Sequence, residues 1–341
     1  MDRREGLRLM AGAVVSPLAG CVMPVIRPQA TEAYEIPSRA VDRLRRMARN
    51  GHACWQDGRL VSSGGPGGAF PVLSVTKSLA AMMAMRVIGR GWMAADEVVG
   101  FPEWRGREGM TVRQLLNSSS GLPAGDRELY SARPRDKGRA AVALRPVDAP
   151  GSVFRYGPAG WELLGEFLKR RLAEHGASPG GELADLLDGI GIRPRDWRRD
   201  GTGAPYLSTG MVCGLNDLGR LGEVLGRLGA GKGAAGVKAE AFRDLTAPRA
   251  ANPMFSAGIW WNRLARLRGA RAVEPERALS GERAAGFWRN ACMQPAARAE
   301  WFSLVGSGGT RVYVLPSASV VIAIARGGDR WSDAAMLGAL G

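Results

Sequence analysis

Phe70-Pro71-Val72-Leu73-Ser74-Val75-Thr76-Lys77-Ser78-Leu79-Ala80-Ala81-Met82-Met83 sets the terms on which the rest of this 341-residue chain is read. After Pro71, apolar and small residues continue at helical spacing to Gly89, which predicts a buried helix with Ser74 at its start. Lys77 lies one turn further on, shares a face with Ser74 and can bring its amine to the hydroxyl. A serine at its free pKa is inert, but a lysine made partly neutral by burial can take its proton. Taken alone the pair has a plainer reading, because Ser is a common N-cap and a first-turn Lys is commonly solvated. The argument for chemistry is that Lys77 interrupts an apolar helix, where a lysine needs a reason to be.

The totals narrow the classes. A chain of 341 residues with 45% hydrophobic content can build a large core as one domain or two interleaved ones. The formal charge is +15, and all but five of the 47 basic residues are Arg. These Arg are scattered through every segment, without a basic stripe interleaved with aromatics, so no nucleic-acid partner is expected. A solvated face accounts for most of this charge, with attraction to anionic envelope surfaces as the functional alternative. Cys21, Cys54, Cys213 and Cys292 form no CxxC pair, and His52 and His175 are the only histidines. No metal site is expected from that set.

Taken in order, the chain begins with Arg3-Arg4 and Arg8, then a 12-residue apolar run from Leu9 to Gly20, too short to span a bilayer. It ends Leu18-Ala19-Gly20-Cys21, so residues 1–21 resemble a bacterial lipoprotein export signal with Cys21 as the acylated residue. Arg3-Arg4 also resembles a twin-arginine signal, although Gly6 stands where a bulky residue is usual, and the alternative for the whole segment is a greasy helix with a buried Cys. The expectation is an exported, periplasmic protein that meets the membrane only through a lipid anchor. Residues 22–36, with Pro24 and Pro28, read as a linker. An amphipathic helix is expected over residues 39–50, and strands over 52–56 and 59–63 joined by the hairpin signal Asp57-Gly58. His52 falls at a strand start and reads as structural.

Residues 100–236 read as helices and loops. A capped helix begins near Thr111, residues 133–150 suggest a polar surface loop, and a helix follows from about Trp161. Another carries Leu218, Leu221, Val224, Leu225 and Leu228 on one face, with Asn216 as N-cap. After Pro253 strands return at 256–262, 301–305, 310–315 and 320–325, the last three as an antiparallel meander, before a final helix over 331–340. The expectation is therefore an α/β fold, an antiparallel sheet flanked by helices. Its sheet domain comes from residues 37–99 and 237–341, with a helical domain, 100–236, inserted.

Five segments, spread over residues 37–340, carry a resemblance. They are Ser74-Val75-Thr76-Lys77; Met110-Thr111-Val112-Arg113-Gln114-Leu115-Leu116 with Ser120-Gly121-Leu122; Pro150-Gly151-Ser152-Val153-Phe154-Arg155-Tyr156 with Leu164-Gly165; Gly210-Met211-Val212-Cys213-Gly214-Leu215-Asn216-Asp217-Leu218-Gly219-Arg220; and the run from Gly306 to Pro316. In this order they resemble the serine β-lactamase and penicillin-binding-protein superfamily, in particular its class C β-lactamase and esterase-like branch. The resemblance implies a β-lactamase/transpeptidase-like fold and a cofactor-free serine hydrolase. Ser74 would be the nucleophile, Lys77 and Tyr156 would move protons, and the backbone N–H groups of Ser74 and Ser307 would form the oxyanion hole.

Two departures bear on substrate. The family's second motif is Tyr-x-Asn, whereas Tyr156-Gly157-Pro158 puts Pro where the Asn would donate an amide hydrogen bond. Its third motif usually places a cation to hold a substrate carboxylate. Gly306-Ser307-Gly308-Gly309 instead resembles the Gly-x-x-Gly form of relatives of 6-aminohexanoate-dimer hydrolase. Both changes favour a short ester or linear amide over a β-lactam or a D-alanyl-D-alanine end. The competing expectations are a β-lactamase or D-alanyl-D-alanine carboxypeptidase, and a non-catalytic envelope binding protein on the same scaffold.

Overall fold

The computed structural model describes residues 34–104, 109–248, 251–279, 283, 286–328 and 330–341. The expected export signal, Cys21 and most of the linker lie outside these residues. In chain order, α1 (Ser38–Met47) leads into the hairpin β1 (His52–Gln56) and β2 (Arg59–Gly64). Strand β3 (Phe70–Pro71) and a single 3-10 turn, Leu73–Val75, precede α2 (Thr76–Gly89). The middle of the chain holds α3 (Val112–Leu116), a π-turn (Asp126–Ser131), α4 (Lys137–Ala143), α5 (Ala159–Glu174) and α6 (Pro179–Ile190). Strands β4 (Asp196–Trp197) and β5 (Met211–Cys213) follow, then α7 (Leu215–Gly229) and α8 (Ala239–Thr246). The last third contains β6 (Phe255–Ser256), β7 (Ile259–Trp261), β8 (Arg271–Ala272), α9 (Pro275–Ala278) and β9 (Ala291–Cys292). The meander β10 (Phe302–Gly306), β11 (Thr310–Leu315) and β12 (Val320–Ile324) precedes α10 (Asp333–Leu340).

The main sheet runs β2-β1-β12-β11-β10-β7-β6, every neighbouring pair antiparallel. The amino-terminal hairpin is thus sewn onto the carboxy-terminal meander, through pairs such as Trp55 with Val321. Side chains alternate across a strand. Trp55, Val312, Val314 and Val321 therefore point to one face, where α7 lies, and Arg311 and Tyr313 point to the other, where they meet Asp333 of α10.

Glycine spacing explains how closely α7 approaches. Gly219, Gly222, Gly226 and Gly229 recur along one stripe, and a Cβ on Gly222 would come within 2.4 Å of Val321. The leucines beside this stripe, Leu218, Leu221, Leu225 and Leu228, are buried. Helix α2 differs from α7 in being apolar all round, with buried residues on every face, which marks it as the central helix of the core. Among the described residues, no helix is long and apolar enough to cross a membrane.

Some expectations need correction. Residues 256–262 are not one strand: Ala257 and Gly258 take left-handed φ values of 51° and 76°, and the segment folds back as the tight hairpin β6–β7. The 133–150 stretch is not only surface loop, because it contains α4, capped by Asp136 on the N–H of Arg139. Helix α7 is capped at Gly214, whose N–H donates to Asp217, so Asn216 lies inside the first turn. By contrast the Asp57-Gly58 turn, with φ of 51° and 73°, forms as its sequence predicts.

Candidate active site

Ser74 is presented by a strained turn. Strand β3 pairs with β5, and Val72 N–H donates to the Met211 carbonyl. There Leu73, the first residue of the 3-10 turn, takes φ +51°, a left-handed conformation costly for a bulky side chain, before the chain enters α2. Two glycines close the turn from the other side. A Cβ on Gly306 of β10 would lie 2.3 Å from the Val72 carbonyl, and one on Gly258 would lie 2.7 Å from the Lys77 backbone. Sheet and hairpin therefore pack against the backbone around Ser74 at positions only glycine allows.

Lys77 is 1% exposed, and its Nζ donates to Ser74 Oγ at 3.1 Å and to the Ser208 carbonyl at 3.0 Å. Neither of these two partners is a carboxylate. Burial pushes the ammonium pKa down to about 7, against a smaller upward pull from Glu162 and Asp126. At neutral pH a sizeable fraction of Lys77 is thus a free amine next to the serine hydroxyl.

Tyr156 closes the cluster. Its ring centroid is 4.9 Å from Lys77 Nζ, and it packs edge-on to Phe255 at 5.5 Å. Burial raises its phenol pKa, and the nearby Ser74 hydroxyl pulls the other way. The residue is held by its neighbours in sequence: a Cβ on Gly157 would strike the Ala124 carbonyl at 2.2 Å, and the Pro158 carbonyl accepts from Trp161 and Glu162 at the start of α5. Pro158 therefore stands as the N-cap of α5.

The structure brings Ser74, Lys77 and Tyr156 together. Ser307 sits at the β10–β11 turn, directly after the Gly306 that backs onto Val72. His52 lies apart on β1, buried, with Nε2 3.5 Å from Ser62 Oγ.

Several further residues reach this neighbourhood. Ser208 Oγ donates to Glu162 at 2.5 Å and accepts from Tyr130 at 3.1 Å, while its carbonyl holds Lys77. Burial raises the Glu162 pKa. Lys137, assigned by sequence to a surface loop, is buried with its Nζ 3.9 Å from the centroid of the Tyr206 ring. The Glu162 signal that was available is a carboxylate on the buried face of an amphipathic helix.

A penicillin-binding protein homologue from Caulobacter crescentus superposes with a TM-score of 0.63 at 19% identity, covering 89% of this chain and 96% of that one. A provisionally assigned 6-aminohexanoate-dimer hydrolase from Bacillus anthracis gives 0.60 at 16% identity, with 84% and 76% covered. EstCE1, described as a hydrolase with promiscuous acyltransferase activity, gives 0.57 at 15% identity, with 85% and 92% covered. At these identities the likeness is one of fold. No curated protein matches the sequence. The profile of the Beta-lactamase family matches residues 47–336, and the chain belongs to that family, with its serine hydrolase fold.

Proposed function

We propose that the protein hydrolyses a short ester or linear amide through an acyl-enzyme. The observation that carries this reading is the buried, carboxylate-free contact between Lys77 Nζ and Ser74 Oγ at 3.1 Å. Neutral Lys77 takes the Ser74 proton as Oγ attacks the carbonyl carbon. The backbone N–H groups of Ser74 and Ser307 receive the oxyanion. When the tetrahedral intermediate collapses, the carbonyl re-forms and the bond to the leaving alcohol or amine breaks. Tyr156 protonates that leaving group and is reprotonated from Lys77. Water, activated by the same pair, then hydrolyses the ester at Ser74 and restores the free hydroxyl.

Pro158 and the Gly-rich turn favour esters and linear amides over β-lactams, because neither supplies the side chain that holds an acylamide or a carboxylate. Residues 1–21 add a second part to the proposal, export with acylation at Cys21. The chemistry is tested with phenyl acetate on protein beginning after Cys21: Ser74→Ala abolishes turnover while the melting temperature is kept. Full turnover by a folded Ser74→Ala sample would overturn it. The anchor is tested by Cys21→Ser, which moves the protein from the membrane fraction to the soluble one.

A further inference from the structure

The third-motif turn holds an anion supplied by the chain itself. Gly308 and Gly309 take left-handed φ values of 75° and 77°, and their N–H groups converge on the Glu276 carboxylate, at 2.7 and 3.3 Å. Arg311 Nη2 donates to the same carboxylate at 3.0 Å. Arg311 is 1% exposed and keeps a bidentate pair with Asp333, at 2.8 and 3.0 Å, behind the turn. Glu276 arrives on α9, whose approach is clamped by Glu274: that carboxylate accepts from Ser332 Oγ and from the N–H groups of Asp333 and Ala334. The carboxylate is thus fixed on a turn adjoining the Ser74 segment, and the charges of Glu276 and Arg311 both reach Tyr156.

We propose that Glu276 sets substrate specificity: its carboxylate fills an anion-binding turn beside the reacting serine, so the site accepts esters or amides that are uncharged or cationic at that end and rejects carboxylates. With Glu276 in place, one cation faces two anions and the cluster carries a net negative charge. Without it, Arg311 and Asp333 balance, and two N–H groups and one guanidinium donor stand open to an incoming carboxylate. Because the Arg311–Asp333 pair survives, removing Glu276 leaves no unpaired buried charge.

The inference rests on the hydrolase reading, and its test separates the two. The substrates are phenyl acetate and 3-acetoxybenzoate, which differ by one carboxylate on the leaving group, and the probe ligand is benzoate. Wild-type protein prefers phenyl acetate, and benzoate neither inhibits it nor raises its melting temperature. Glu276→Ala raises kcat/KM for 3-acetoxybenzoate relative to phenyl acetate by about tenfold and gains competitive inhibition by benzoate, the scale of one charge-assisted contact. Glu276→Gln, which keeps an acceptor on the turn and loses the charge, gives a smaller gain and no benzoate inhibition. An unchanged preference in both folded variants, or an equal fall on both esters, would show a structural staple and overturn the proposal. Should wild-type and variants hydrolyse neither ester, the hydrolase reading fails, and the benzoate-dependent rise in melting temperature still decides the anion site: present in Glu276→Ala alone, it supports the site; absent there, it removes it.

Discussion

Lys77 and Arg311 are both cations at 1% exposure, and the structure treats them in opposite ways. Lys77 has a hydroxyl and a carbonyl within hydrogen-bond distance, and burial drives its pKa down to about 7. Arg311 has Asp333 and Glu276 against it, and these carboxylates raise its pKa further although burial opposes them. Burial alone does not make a cation reactive or structural; the anion placed beside it does. A buried cation without a contacting carboxylate is partly a base, and one held by two carboxylates is a permanent charge that ties elements together. Here it joins β11 to α10 and α9.

Removing the proposed base breaks the contrast most severely. Lys77→Met lowers kcat/KM for phenyl acetate by about a thousandfold or more, the upper range for a general base. Its effect on stability has the other sign. Because the folded-state pKa of about 7 lies below the ordinary 10.5, the native state binds fewer protons than the unfolded chain between those values. The stability of wild type relative to Lys77→Met therefore rises as pH climbs from about 7 toward 10.5, and is lowest at or below pH 7, as urea titrations at several pH values will show.

Breaking the structural cation does the reverse. Asp333→Ala strips Arg311 of its bidentate partner and Tyr313 of its acceptor, and costs about 3–5 kcal/mol in urea unfolding, the range for opening a buried pair. The folded fraction keeps the wild-type pH midpoint of activity. A smaller change sharpens the comparison: Glu162→Gln removes the anion that most supports the charged form of Lys77, so the midpoint of kcat/KM moves to lower pH. Asp126→Asn acts in the same direction and less, because its influence on Lys77 ranks below that of Glu162.

The contact of Lys77 with Ser74 was legible in the sequence, and the cluster around Arg311 was not. Ser74 and Lys77 are one helical turn apart, so spacing alone puts them together. The hairpin at Asp57-Gly58 and the alternation in residues 310–315 fix their strands by local chemistry. Arg311, Glu276 and Asp333 meet only because β11, α9 and α10 converge, over separations of 22 and 35 residues that carry no spacing signal. Lys137 misled for a related reason: its neighbours are polar, yet the Tyr206 ring that lies against it, beside Tyr130 of the preceding turn, comes from far along the chain. The split of residues 255–261 into two strands depended on a positive φ at Ala257, which an alanine does not announce.

The rate at which a fluorophosphonate labels Ser74, followed by peptide mass spectrometry from pH 5 to pH 9, tests the central claim most directly. The account predicts a single adduct on Ser74, absent in Ser74→Ala, with a rate that rises with pH through a midpoint near 7 as Lys77 becomes neutral. A folded sample that gives no adduct at Ser74, or labels there at a rate independent of pH across this range, would contradict it.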